Sequence, residues 1–375
     1  MHPDIKVNKI EFGDCRETMR RWKGQGIKTQ TCVTSPPYYG LRDYGTSSYE
    51  GGDPDCSHTV SGWSDSLKPD CDRPERDGKK RQFCLKCGAK RVDQQIGLEE
   101  TPEEYIKAMV EVFRCVWDVL EDSGTLWVNI GDSYASQGGR QVEQTVRHTG
   151  DYVNAGQMGS DGVGTTRRPP DGIKAKDLIG IPWMLAFALR ADGWYLRQDI
   201  IWHKPNPMPE SVQDRCTKAH EYIFLMSKSS KYYFDHKVIL EQATTLENRP
   251  SGVVRDRVYD YNSKQKEMGR SRGGEETPEP ITRNKRSVWT VNTKPYKGSH
   301  FATYPPKLIE PCILAGCPKG GVVLDPFMGS GTTAFVALLN ERQYLGCELN
   351  PEYEELQKRR IKDAYNMTAQ QSLFI

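Results

Sequence analysis

Apolar and polar residues alternate with two different periods along the first forty positions of the chain. Residues 5–12 alternate as a strand does, residues 15–23 have the spacing of a helix, and residues 31–34 form a short apolar run. A short apolar run bounded by polar residues is typical of a buried strand. The pattern therefore predicts a strand, a helix and a second strand in succession.

The same alternation of strands and helices returns three times along the chain. The predicted helices are 102–120, 181–190, 306–315, 332–340 and a last helix after 350; the predicted strands are 125–130, 195–202, 221–226, 322–324 and 343–348. Strands that alternate with helices are typical of a sheet covered by helices on both faces. We therefore expect a doubly wound, Rossmann-like α/β fold.

Three polar segments interrupt this periodicity. Residues 45–97 are rich in Gly, Pro, Asp, Lys and Cys, and residues 136–172 are rich in glycine, which predicts an insertion and a flexible loop. The stretch from Lys231 to His300 contains fourteen Lys or Arg against nine Asp or Glu and is the most basic long segment. The predicted division of the chain is a first core segment (1–49), an insertion (50–97), a second core segment (98–234), a basic region (235–298) and a last core segment (299–375).

Composition narrows the class of protein. The chain has 375 residues and eleven cysteines, and its mean hydropathy is −0.70. No run of about 18 apolar residues and no apolar stretch behind a basic start is visible, so we expect no membrane association, no secretory signal and a cytoplasmic location. Cysteines in a reducing compartment are better explained as buried thiols or metal ligands than as disulfides. The net charge of +2 means that any DNA-binding surface must be local.

A glycine motif near the C-terminus has the features of a nucleoside site. Asp325 ends a predicted strand, and Gly329 and Gly331 lie where the chain turns into a helix, so the backbone can approach a ligand closely. Glu348 ends the next strand, where a carboxylate can accept both hydrogen bonds of a ribose diol. The motif lacks the third glycine of a dinucleotide site and the Gly-Lys-Ser/Thr of a triphosphate site. S-adenosylmethionine fits best, with its ammonium group suited to Asp325.

A second motif, Ser35-Pro36-Pro37-Tyr38, directly follows a predicted strand. Its two prolines keep the backbone extended and stiff. The exocyclic amine of a base is a poor nucleophile because the lone pair of its nitrogen is delocalised into the ring. The Ser35 hydroxyl and the Pro36 carbonyl can accept the two hydrogens of this amine, which favours a pyramidal nitrogen that can attack a methyl group. Flipping the base out of the duplex costs a few kcal/mol, and stacking on Tyr38 would offset about 1–3 kcal/mol of that cost.

Together, the segments Thr34–Tyr38 and Asp325–Thr333 closely resemble the amino-methyltransferases of DNA, which methylate cytosine N4 or adenine N6. The catalytic motif precedes the cofactor motif, so the chain resembles the permuted beta group of that family. The resemblance implies an S-adenosylmethionine-dependent enzyme that flips a base out of double-stranded DNA. It also implies that the basic region 235–298 recognises the target sequence.

The resemblance also carries a set of cofactor-binding residues onto this chain. Asp14 would contact the cofactor adenine, and Phe301 and Thr303 would lie near its methionine end. The full predicted set is Asp14, Phe301, Thr303, Asp325, Pro326, Phe327, Gly329, Gly331, Thr332 and Glu348.

Ser35 bears on which base is methylated. Family members with Ser at this position mostly act on cytosine N4, and adenine enzymes usually have Asp or Asn, so we expect cytosine, with adenine N6 as the alternative. Methylation of RNA and a non-catalytic zinc-dependent DNA-binding protein are more distant alternatives. A restriction endonuclease is a candidate partner, and the oligomeric state stays open.

The insertion contains a candidate zinc site. Cys84 and Cys87 have the two-residue gap that lets two thiolates bind one metal ion, and Cys56 with His58 would complete a tetrahedral, structural site. Cys71 is the rival fourth ligand, and incidental cysteines in a flexible loop are the alternative to a metal site. Phage and bacterial amino-methyltransferases that resemble this chain carry a similar insertion. A metal would explain how so polar a segment becomes ordered.

Overall fold

The computed structural model describes most of the predicted core. The described residues are 7–40, 46, 48–58, 83–84, 86–92, 94–135, 172–243, 282–293 and 304–372. The predicted cofactor residues Phe301 and Thr303, the rival ligand Cys71, almost all of the predicted loop 136–172 and much of the basic region lie outside the described residues.

The described part contains six α-helices and twelve strands. The helices are α1 (Cys15–Gly24), α2 (Pro102–Val119), α3 (Ile181–Ala191), α4 (Pro306–Gly316), α5 (Thr332–Leu339) and α6 (Glu354–Ser372). The strands are β1 (Lys9–Phe12), β2 (Thr29–Thr34), β3 (Ser48–Glu50), β4 (Lys90–Val92), β5 (Leu120–Ile130), β6 (Tyr195–His203), β7 (His220–Ser227), β8 (Glu241–Gln242), β9 (Thr282–Arg283), β10 (Val288–Thr290), β11 (Val322–Asp325) and β12 (Gln343–Glu348). Two 3₁₀ turns, Lys237–Ile239 and Pro351–Tyr353, complete the set.

Eight strands form one sheet in the order β1-β12-β11-β2-β5-β7-β6-β10. Strand β7 runs antiparallel to both of its neighbours, and the other seven strands are parallel to one another. Strands β3 and β4 pair antiparallel within the insertion. This mostly parallel sheet confirms the predicted α/β fold.

Two apolar clusters cover the two faces of this sheet. Side chains of a strand alternate between faces, so Cys32 packs in one cluster and its neighbour Val33 in the other. The first cluster contains residues of α1, α2 and α3, among them Trp22, and the second contains residues of α4 and α5, among them Ile313. The sheet is therefore wound on both faces, as the alternation of elements predicts.

Two elements differ from the sequence-based expectation. The predicted strand 125–130 is longer in the structure: β5 begins at Leu120, directly after the last residue of α2, and no loop separates the two elements. Strand β10 lies inside the region predicted for target recognition, yet it pairs with β6, and Trp289 at its centre is only 6% exposed. A three-residue strand is too short to show a period, so the sequence does not indicate it.

None of the helices in the described part of the chain combines the length and the apolar character that crossing a bilayer requires.

Candidate active site

The two predicted motifs meet at one edge of the sheet. Strands β2 and β11 are parallel neighbours, so their carboxyl ends lie side by side. Thr34, the last residue of β2, donates its hydroxyl proton to Asp325 Oδ1 over 2.6 Å, although 291 positions separate the two residues. The loop that starts at Ser35 and the glycine loop that follows Asp325 are thereby joined.

Asp325 is completely buried and accepts hydrogen bonds from several parts of the chain. Besides Thr34, the donors are the hydroxyl groups of Thr333 and Tyr304, at 2.5 and 3.0 Å, and the backbone N–H of Phe327 at 3.0 Å. Burial raises the pKa of Asp325, and these hydrogen bonds oppose the rise. Its contacts tie the loops together, and a direct contact with the cofactor ammonium stays a prediction.

Beside these loops lies a cavity bounded by the ends of β1, β2, β11 and β12. The predicted catalytic or cofactor-binding residues that line it are Asp14, Ser35, Pro37, Pro326, Phe327, Gly329 and Glu348. Residues of both predicted motifs thus line one cavity. Transfer of a group from a bound cofactor to a substrate requires that the two be held close together in this way.

Glu348 is held by the glycine loop. Its two carboxylate oxygens accept the backbone N–H groups of Gly329, at 2.7 Å, and Asn350, at 2.8 Å. Each oxygen keeps a lone pair for a further donor. Burial raises the pKa of Glu348 to about 7, although the backbone hydrogen bonds oppose this rise. The site therefore presents a rigid acceptor for hydroxyl groups.

Asp14 forms the N-cap of α1 and lies on the cavity wall. Its carboxylate accepts the backbone N–H of Arg16 at 2.7 Å and also binds the Arg16 guanidinium. Burial raises the pKa of Asp14, but the hydrogen bonds of Arg16 outweigh burial and lower the pKa overall. Asp14 is therefore a fixed anion at neutral pH.

The glycine loop is clamped from behind by α6. Gly331 precedes α5 in the left-handed region, with φ of +84°, where a residue with a side chain would be strained. Gln357 donates to the Gly329 carbonyl at 2.7 Å, and Arg360 donates to the Thr332 hydroxyl. Among the described contacts, Thr332 thus connects the glycine loop to α6, while Gly329 lines the cavity.

The predicted catalytic loop, which starts at Ser35, is fixed by side chains of α2 and β7. Pro36 is buried and Ser35 is half-buried on the cavity wall. Tyr105 donates to the Pro37 carbonyl at 2.9 Å, and the Tyr38 hydroxyl donates to Glu221 at 2.7 Å. The prolines and these two hydrogen bonds together hold the loop in place.

Sequence reasoning missed several residues of the cavity. The buried Ser330 hydroxyl has no hydrogen-bond partner among the described residues, and its place between two motif glycines was the available signal. Thr46 and residues 94–96, at the two ends of the insertion, also line the cavity. These positions follow no motif, so the sequence offers no signal for them.

The predicted zinc ligands lie together in the insertion. The ligand atoms of Cys56, His58, Cys84 and Cys87 all lie within 4.8 Å of one another. The Sγ atoms of Cys56 and Cys84 are 3.9 Å apart, and Cys87 Sγ is 3.3 Å from His58 Nδ1. Thiolates about 2.3 Å from a tetrahedral zinc ion would be about 3.8 Å apart, so the spacing fits. Hydrogen bonds from the Cys87 backbone and the His58 ring lower the pKa of Cys84 to about 6.

Known proteins resemble this chain over nearly its whole length. The family model described as DNA methylase, for N6 and N4 methyltransferases, matches residues 29–359. The type II methyltransferase M.SmaI of Serratia marcescens is 40% identical over 366 residues, which cover 96% of this chain and 93% of the relative. The type II methyltransferase M.Cfr9I of Citrobacter freundii is 38% identical over 356 residues, covering 93% and 86%.

A solved structure shares the fold. The PvuII DNA methyltransferase (cytosine-N4-specific) superimposes with a TM-score of 0.50 at 16% identity, over 97% of this chain and 93% of that one. At this identity the likeness shows the fold alone, and it agrees with the doubly wound methyltransferase sheet predicted from the sequence.

Proposed function

The chain belongs to the DNA methylase family of N6 and N4 methyltransferases, and from this premise we propose that it transfers a methyl group from S-adenosylmethionine to the N4 amine of cytosine in double-stranded DNA. One observation carries the proposal: Ser35 and Pro37 of the catalytic loop line the same cavity as Glu348 and Gly329 of the nucleoside motif. In the proposed enzyme, the acceptor for the base amine and the site for the nucleoside share this cavity.

The cavity residues fit S-adenosylmethionine. The carboxylates of Asp14 and Glu348 are acceptors for the hydroxyl and amino groups of a nucleoside, and the Ser330 hydroxyl, which has no hydrogen-bond partner among the described residues, can bind a ligand. When bound, the cofactor supplies an electrophilic methyl group on its sulfonium sulfur. At Gly329, on the cavity wall, the loop can approach the ligand with its backbone, because this residue carries no side chain.

The catalytic loop provides what a weakly nucleophilic amine needs. In the proposed reaction the Ser35 hydroxyl and the Pro36 carbonyl accept the two amine hydrogens, which favours a pyramidal nitrogen and leaves its lone pair available. The Tyr38 ring stacks on the flipped base. Attack of the amine nitrogen on the methyl carbon breaks the bond between that carbon and sulfur, so a neutral thioether leaves and the amine becomes cationic. The amine then releases a proton to water and needs no strong base beforehand.

Cytosine is the proposed base because Ser35 opens the catalytic motif. A hydroxyl group is the acceptor expected in cytosine-N4 members of the family, whereas adenine members usually have a carboxylate or an amide. Adenine N6 is the second candidate, since both bases present an amine beside a ring nitrogen. A non-catalytic DNA-binding protein is disfavoured because the cavity and the catalytic loop are both intact in the structure.

Analysis of the methylated nucleoside tests this proposal. The purified protein is incubated with labelled S-adenosylmethionine and unmethylated genomic DNA, and the DNA is digested to nucleosides. The expected product is N4-methylcytosine, and Ser35→Ala should reduce its yield. Labelled N6-methyladenine would replace cytosine with adenine in the proposal, and no label in DNA would overturn the proposed reaction.

The insertion is proposed to hold one structural zinc ion. Support comes from the spacing of Cys56, His58, Cys84 and Cys87, whose ligand atoms all lie within 4.8 Å of one another. Two thiolates and a Cys-His pair match the ligand types of structural zinc sites, which are closed by four protein ligands. The ion would order the insertion and take no part in methyl transfer.

The basic region and the cellular setting complete the proposal. We assign target recognition to residues 235–298, with the exception of β10, which belongs to the central sheet. The relatives are type II methyltransferases by name, so a restriction endonuclease that reads the same sequence is the proposed companion. The proposed place of action is the cytoplasm of a bacterium or of a phage-infected cell.

A further inference from the structure

The hydroxyl group of Tyr38 is anchored by residues that lie outside both predicted motifs. It donates to Glu221 Oε2 over 2.7 Å. Asn129 donates to the same oxygen over 3.3 Å, and Lys204 pairs with the other oxygen, Oε1. The Glu221 and Lys204 side chains are only 15% and 18% exposed, so this ion pair is largely shielded from water.

The sheet brings these residues together at the edge where the predicted catalytic loop begins. Asn129 is near the end of β5, Glu221 is near the start of the antiparallel strand β7, and Lys204 follows β6. Because β7 is antiparallel, its first residues lie at the same edge as the last residues of its neighbours. The loop that contains Tyr38 begins at the carboxyl end of β2, and this end lies at the same edge of the sheet.

A glycine makes room for the Tyr38 ring. A Cβ atom on Gly131 would lie 2.6 Å from Tyr38 Cε2, closer than real Cβ contacts, and 3.4 Å from Glu221 Cδ. The ring is therefore packed directly against the backbone that follows β5. Packing on one side and the hydroxyl anchor at the ring's end leave the ring little freedom to rotate.

We propose that Glu221 is a positioning residue that sets the Tyr38 ring for stacking on the flipped base, and that Lys204 neutralises the Glu221 charge so that the carboxylate can remain in this shielded place. The inference rests on the proposed function, because it assumes that a base is flipped against Tyr38. Glu221 acts through Tyr38 and does not touch the reacting atoms.

The protonation states agree with this arrangement. Burial, and then the charge of Glu221, raise the pKa of Tyr38 well above its usual value, so its hydroxyl stays protonated and donates. Glu221 has both oxygens engaged by donors and is therefore an acceptor in the network. A ring whose orientation is fixed before the base arrives loses less freedom on stacking.

Removal of the Tyr38 hydroxyl tests the inference without removing the ring. Tyr38→Phe should lower the single-turnover rate of methyl transfer about five- to tenfold, with the dissociation constant of S-adenosylmethionine unchanged. Tyr39→Phe is the matched control, because it makes the same chemical change one residue later and removes a bond of 3.1 Å to the Glu100 carbonyl. The control should transfer methyl groups within about twofold of the native rate.

A second set of variants links the effect to Glu221. Glu221→Gln keeps an oxygen that can accept from Tyr38, so it should lose less than threefold, and the double variant Tyr38→Phe with Glu221→Gln should be no slower than Tyr38→Phe. Base flipping is followed by the fluorescence of 2-aminopurine, placed at the target in a duplex whose site is identified from DNA methylated by the native protein. The fluorescence gain should fall in Tyr38→Phe and persist in Tyr39→Phe.

Two results would overturn the positioning role while the native protein stays active: a Tyr38→Phe variant with native rate and fluorescence, or an equal loss in both tyrosine variants. An inactive native protein would instead overturn the proposed function itself, so the two failures are distinguishable.

Discussion

The Thr34 hydroxyl donates to Asp325 Oδ1 over 2.6 Å, in the buried space between the ends of two adjacent parallel strands. This bond connects the residue before the catalytic loop with the first residue of the glycine motif. Asp325 also accepts hydrogen bonds from the Thr333 hydroxyl and the Phe327 backbone N–H. One carboxylate therefore fixes the two loops relative to each other. The predicted catalytic loop and the predicted cofactor loop are therefore held together by one buried residue.

The first prediction concerns this connection. Thr34→Val keeps the shape of the side chain but removes one donor from a buried carboxylate, which should lower the free energy of unfolding by about 1–3 kcal/mol. Urea denaturation measures the change, with Thr290→Val as the control because that threonine is exposed on the edge strand β10. Equal stability of the Thr34 and Thr290 variants would show that the bond does not join the halves.

The second prediction concerns the buried Ser330 hydroxyl, which has no partner among the described residues. Ser330→Ala removes an unsatisfied polar group, so the free energy of unfolding should stay equal or rise slightly without cofactor. The affinity for S-adenosylmethionine should fall, since a hydrogen bond worth about 0.5–1.5 kcal/mol is lost. Calorimetry and urea denaturation measure the two effects, and their opposite directions distinguish a ligand contact from a packing defect.

The third prediction uses the pKa of Glu348, which burial raises to about 7. In the proposed cofactor site the ionised carboxylate accepts the hydrogen bonds of a ribose diol, and protonation removes part of that capacity. Affinity for 5′-methylthioadenosine, which has the diol but no titrating amine near neutrality, should therefore weaken between roughly pH 8 and pH 6, by at most about tenfold. Calorimetric titration at several pH values measures this change.

The matched control for that titration is Glu348→Gln. It should bind the nucleoside more weakly, because a neutral amide is a poorer acceptor than a carboxylate, and its affinity should not change with pH over the same range. If the variant keeps the native pH dependence, another group is responsible and Glu348 does not bind the diol.

The sequence predicted the parts of the site that lie within continuous motifs. Ser35 and Glu348 each follow a strand whose apolar run is visible, and the carboxyl ends of parallel strands meet at one edge, so their shared cavity could be expected. The helices could be predicted because their apolar spacing is sustained over several turns. Their observed bounds, such as Cys15–Gly24 for α1, are close to those expected.

Residues that act from other strands could not be predicted. Glu221 reaches Tyr38 because β7 pairs with β5, with Tyr222 opposite Ile130, and a single sequence does not reveal which strands are neighbours. Trp289 belongs to the core through a three-residue strand in a charged segment. In both cases the position is decided by pairing across long sequence separation, which local periodicity does not record.

The last prediction concerns the metal site. Cys84→Ser removes one of four ligands that lie within 4.8 Å of one another, so the purified variant should contain no zinc, whereas the native protein should contain one ion per chain. Cys216→Ser is the matched control, because Cys216 is an exposed thiol outside the insertion, and it should keep the ion. Without the ion the described ends of the insertion have too little apolar surface to stay ordered, so limited proteolysis should cleave the Cys84 variant faster than the native protein within residues 48–58 and 83–92 and leave the core resistant. Native protein that holds no zinc after purification with zinc present, or a Cys84 variant that still retains it, would show that these four side chains do not form a metal site.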